Sequence, residues 1–108
     1  MTRRALQPLV RISQLILDAA LADLRRAADA RDESLARLCD LATVPCPTDL
    51  PLAAVAQADL LYARWADARR AEINLTLARQ TADWLGARDA ARRAFGRADA
   101  LRKLAEGR

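Results

Sequence analysis

Val44-Pro45-Cys46-Pro47-Thr48-Asp49-Leu50-Pro51 divides a chain that otherwise reads as helix throughout. Three prolines within this segment cannot lie inside a helix, because each lacks an N–H donor and clashes with the preceding turn. Thr48 or Asp49 is suited to cap the helix that follows, with Pro51 tolerated in its first turn. Working outward, Pro8 is placed in the first turn of the preceding helix. The reading is helix 1 over about residues 8–43, a proline-rich loop over 44–51 and helix 2 over about 50–106. Together they form one domain. A short joining loop favours antiparallel neighbours.

Composition agrees. The 108 residues include 26 Ala and 18 Leu but only three Val, three Ile and four aromatic residues. Ala and Leu are strong helix formers, and β-branched residues are too scarce for a sheet. In helix 1, Leu17, Leu21, Leu24, Ala28, Arg31, Leu35, Leu38 and Ala42 alternate steps of four and three, a heptad seam with one charged intruder. In helix 2, Tyr62, Ala66, Arg69, Ile73, Leu77, Gln80, Trp84, Ala87, Ala91, Ala94, Ala98, Leu101 and Ala105 continue a looser version with a stutter near Leu77. The expected fold is all-α: an antiparallel two-helix coiled-coil hairpin with a longer second helix.

Folding about Pro47 sets Leu21 near Ile73, Leu17 near Leu77 and Val10 near Trp84. On this register helix 2 projects by about twenty residues past Trp84, and Trp84 covers the first turn of helix 1. Charge divides at the same place. Residues 1–85 hold 11 basic and 11 acidic side chains, whereas residues 86–108 hold seven basic against three acidic, the whole net charge of +4. The expected partner-binding residues are therefore Trp84, Arg88, Arg92, Arg93, Phe95, Arg97, Arg102 and Lys103. Arg31 and Arg69 are expected to snorkel, or to pair with Asp59, Asp67 or Asp23.

Much chemistry is excluded. No histidine is present, so imidazole bases and His-containing zinc sites are absent. Cys39 and Cys46 are too few for a thiolate metal site, and nothing in their spacing forces a disulfide. Gly86, Gly96 and Gly107 are isolated and form no phosphate loop, and Asn74-Leu75-Thr76 lies within a helical pattern rather than at a glycosylation loop. No catalytic residue, cofactor, metal or small-molecule substrate is expected. Pro8, Arg11, Gln14 and Asp18 break up the first apolar stretch, so neither a signal peptide nor a membrane span is expected. The reading is a cytoplasmic, non-enzymatic protein.

The segment Arg70-Ala71-Glu72-Ile73-Asn74-Leu75, then Trp84, Arg88 and Ala94-Phe95-Gly96-Arg97-Ala98-Asp99-Ala100-Leu101, resembles the second helix of the FliJ family. These are the small coiled-coil stalk proteins of the flagellar type III export ATPase. The resemblance covers the second half of the chain well and the first half by pattern. It implies a non-enzymatic export component that docks in the pore of a hexameric ATPase and also contacts export chaperones. Two alternatives follow from the residues themselves. Leu6, Leu9, Ile12, Leu15, Ile16 and Leu17 crowd more than one face of helix 1, which suits a homodimer or larger homo-oligomeric bundle. The basic segment suits a nucleic-acid-associated accessory protein less well, because acids interrupt it and Phe95 is its only aromatic.

Overall fold

The computed structural model describes residues 3–42 and 51–107. Two helices account for nearly all of them: α1, Arg3–Leu41, and α2, Leu52–Ala105. They lie against each other as an antiparallel hairpin measuring 82 × 21 × 17 Å. The radius of gyration is 24.3 Å, against roughly 13 Å for a compact domain of about this length. Eight apolar side chains are buried among the described residues, and four of them are alanines: Ala66, Ala91, Ala94 and Ala98. The core is a seam.

Both helices depart from expectation at their starts. α1 begins at Arg3, not near Pro8, and carries Pro8 in its second turn. Pro8 deprives the Arg4 carbonyl of one helical hydrogen bond. Tertiary contact offsets that loss: Leu6 is buried, and the Arg3 guanidinium donates to the Glu106 carbonyl at the far end of α2 (3.4 Å). In α2, Pro51 occupies the capping position and makes no side-chain capping bond; Thr48 and Asp49, expected to cap this helix, stand just before it in the sequence. Those two residues, and most of the expected 44–51 loop, lie outside the described residues. α2 ends as its chemistry suggests, with Arg102 and Lys103 in the last turn and Gly107 in the left-handed region at φ 74°.

The seam of α2 runs through Tyr62, Ala66, Ile73, Leu77, Gln80, Trp84, Ala87, Ala91, Ala94, Ala98, Leu101 and Ala105, as its spacing predicts, with Arg69 the exception. Arg69 is exposed and pairs with Glu72 (3.0 Å). The seam of α1 differs at alternate positions. Leu17, Leu24, Arg31 and Leu38 face α2, but their companions are Ala20, Ser34 and Leu41 rather than Leu21, Leu35 and Ala42, while Ala27 and Ala28 are both half-buried. Small residues bring the helices close, and Leu21 and Leu35 are left at the lip.

The register is the larger correction. Leu17 packs with Ala94 and Ala98 instead of Leu77, and Leu41 packs with Ala66 and Ile73. Ser34 Oγ donates to Gln80 Oε1 (2.5 Å), and Arg31 Nε donates to Thr81 Oγ1 (3.2 Å). These pairs centre on the mid-fifties of the chain, not on Pro47. Residues 87–105 therefore do not project. They cover the first half of α1, and the part of α2 that overhangs is its start, where every residue of 52–61 except Val55 is exposed.

Two physical reasons select this register. The start of α2 would place Asp59 in the seam, whereas Ala87 to Ala105 is uninterrupted and receives the leucines of α1. The polar seam residues also meet one another, Ser34 with Gln80 and Arg31 with Thr81, which fixes relative position as buried polar pairs do in coiled coils. Ser34 is the most buried side chain described, at 1% exposure. Replacing Gln80 by Leu should therefore cost about 1–2 kcal/mol by stranding the Ser34 hydroxyl. Adding Ser34→Ala should recover most of that. Urea denaturation of the single and double variants measures the coupling; additive losses would mean that the two side chains do not interact.

Candidate functional site

The register gives the basic segment a neighbour and rebuilds the site around a groove between the helices. Seam residues point inward, and those one step to one side form the lips. On that side α1 supplies Leu17, Leu21 and Leu24, while α2 supplies Arg88, Ala91, Arg92 and Phe95. The groove continues toward the helix termini between Val10, Gln14 and Leu17 of α1 and Phe95, Asp99 and Arg102 of α2. Phe95 is 60% exposed beside buried Ala94. Its ring forms the groove's most prominent apolar surface.

Trp84 sits at mid-rod, where it carries cations rather than covering the start of α1. The Arg31 guanidinium lies 5.6 Å and that of Arg88 5.2 Å from its ring centroid, both within cation–π range. Arg31 thus has no need of the aspartates expected for it. Arg88 is half-buried, and its Nε is buried without a hydrogen-bond partner. Arg102 and Lys103 are tied to Asp99, at 2.5 and 3.0 Å. Hydrogen bonds from Arg102 and then Lys103 hold the Asp99 carboxyl below its ordinary value, and Asp99 in turn raises Arg102. That stabilisation is present above the usual carboxylate range and is lost as pH falls through the lowered value.

Of the eight expected residues, Arg88, Arg92, Phe95 and Arg102 line the groove, Trp84 sits in the seam and meets it through Arg88, and Lys103 joins through Asp99. Arg93 and Arg97 leave α2 on the opposite side. The residues missed were those of α1. The heptad pattern assigns Leu21 to the seam itself and sets Val10 opposite Trp84, and Gln14 reads only as a break in the first apolar stretch. The signal that could have found them is the polar match of Ser34 with Gln80.

The hairpin end that carries both helix termini is basic on both helices. Arg3, Arg4 and Arg11 stand on α1 before its first acid, Asp18, opposite Arg97, Arg102 and Lys103 with Asp99 and Glu106. Such a surface can bind a partner's apolar side chain and carboxylates together. Among the described residues no three His, Cys, Asp or Glu side chains gather as metal ligands, and Cys39 is a free, exposed thiol. No family model, curated protein or solved structure matches the chain.

Proposed function

We propose that this protein is a non-enzymatic coiled-coil component of flagellar or type III protein export that docks onto the export ATPase in the cytoplasm. The observation that carries the docking is the groove of Leu21, Leu24 and Phe95 beside Arg88 and Arg92, at the basic end of a rod only 17–21 Å across. The ATPase comes from the resemblance of α2 to the FliJ family. Export chaperones, implied by the same resemblance, are further partners. The inserting element is the paired two-helix end, not a lone projecting α2, since residues 87–105 are packed on α1.

Arg92 can make charge-assisted bonds to carboxylates lining a ring, while Phe95 fills an apolar recess. One exposed ion pair contributes only ~0.2–1 kcal/mol, so the aromatic must supply much of the affinity. Arg92→Glu with Phe95→Ser should weaken binding to the purified ATPase about tenfold or more, with the hairpin's melting nearly unchanged. Arg88 is unsuitable for this test because it packs on Trp84. Undiminished binding and undiminished stimulation of turnover by the variant would sink the proposal.

A further inference from the structure

α1 carries a second heptad stripe that α2 leaves uncovered. Ala5, Leu9, Ile12, Ile16 and Ala19 repeat the four-three rhythm of the Leu6, Val10, Ser13, Leu17 and Ala20 seam, each one residue earlier. One residue is about 100° of helix, so this stripe forms a separate face. All five residues are exposed, Ile12 and Ile16 by half. The next position in the rhythm is Asp23, which pairs with Arg26 and ends the apolar run.

The α2 side of this face is charged. Arg93 and Arg97 emerge on it beside Ile16 and Ala19, given the packing of Leu17 on Ala94 and Ala98. Among the described residues neither joins an ion pair, although Arg102 and Lys103 nearby do. Leu104, 58% exposed, extends the apolar surface toward Ala5 and Leu9.

We infer that this face binds an amphipathic helix of a partner protein, apolar on its heptad positions and acidic on its flanks, packed as a third strand on the first five turns of α1. The heptad rhythm selects a helix, because each i, i+4, i+7 set accepts one knob from a facing helix. Charge selects an acidic one. A second copy of this chain would bring Arg93 and Arg97 near their own counterparts in the basic end, a like-charge contact. By length and composition alone α1 could also enter a bilayer. However, Leu6 and Leu17 are already buried against α2, and Arg4, Arg11 and Asp18 stand on the same stretch of α1. This face lies opposite Arg92 and Phe95, and the inference does not depend on the ATPase.

The test uses the full chain and two synthetic helical peptides of about three heptads, with leucine on the seam and either Glu or Lys on both flanks. Fluorescence anisotropy should show the Glu peptide binding about tenfold or more tighter than the Lys peptide. Ile12→Ser with Ile16→Ser should weaken the Glu peptide about tenfold or more, and Arg93→Glu with Arg97→Glu should reverse the preference. Leu21→Ser with Phe95→Ser, on the other side, should leave it unchanged. Equal binding of both peptides, or no loss in the isoleucine variant, overturns the inference. So does a dimer in sedimentation equilibrium, or binding to anionic phospholipid vesicles, that the isoleucine variant abolishes. Failure of the unaltered chain to bind the ATPase, with peptide binding intact, would count against the docking proposal alone.

Discussion

Deletion of residues 87–108 is expected to unfold far more than it removes. The deleted part of α2 carries Ala87, Ala91, Ala94, Ala98, Leu101 and Ala105, the seam that runs opposite α1 from Leu6 to Leu24. Leu6 and Leu17 are buried there, with Val10, Ala20 and Leu24 partly so. Each buried large aliphatic side chain contributes about 1.5–3 kcal/mol, so the loss is most of what this half of the hairpin has. The uncovered part of α1 is then an isolated helix interrupted by Pro8, and such helices are marginal in water. Ellipticity at 222 nm should fall by roughly twice what the deleted helix accounts for. The residual transition should belong to the Leu41, Ala66 and Ile73 cluster. A loss matching the deleted residues alone, with melting unchanged, would show that α1 does not rest on this segment.

That expectation reverses the one from the sequence, and the reversal shows what heptads encode. The seam of α2 was readable position by position, because four-three spacing names the inward face of a helix. It does not name the partner's register, since the rhythm is the same after a shift of any number of heptads. Register resided in the exceptions: Asp59 unfit for the seam, and Ser34 and Gln80 fit for each other. On α1 the large residues misled. Leu21 and Leu35 outrank Ala20 and Ser34 in hydrophobicity, yet a seam of small residues lets the helices approach, and the leucines become groove lips. The proline segment correctly separates two helices. Its position does not fix where they pair, because about nine residues of chain can span roughly 30 Å. The candidate site was legible on α2 and illegible on α1 for the same reason.

Two adjacent residues should therefore respond in opposite ways. Ala94 is 4% exposed against Leu17, and Phe95 is 60% exposed on the groove. Ala94→Glu places a carboxylate in the buried seam against Leu17 and Ala98. A buried unpaired charge costs about 3–5 kcal/mol, less whatever the side chain recovers by bending toward water. A two-helix core rarely holds more than that in reserve, so the basic end should open, with a large fall in melting temperature and in helicity. Phe95→Glu removes exposed apolar surface and should change stability by no more than about 1 kcal/mol. It does, however, set a negative charge among Arg88, Arg92 and Arg102 and takes away the ring, so binding of the ATPase in the groove should be lost from a folded protein. Thermal melts and partner binding on the two variants separate the roles. A destabilised Phe95→Glu with an unperturbed Ala94→Glu would invert the seam and the groove, and with them the face proposed for the ATPase.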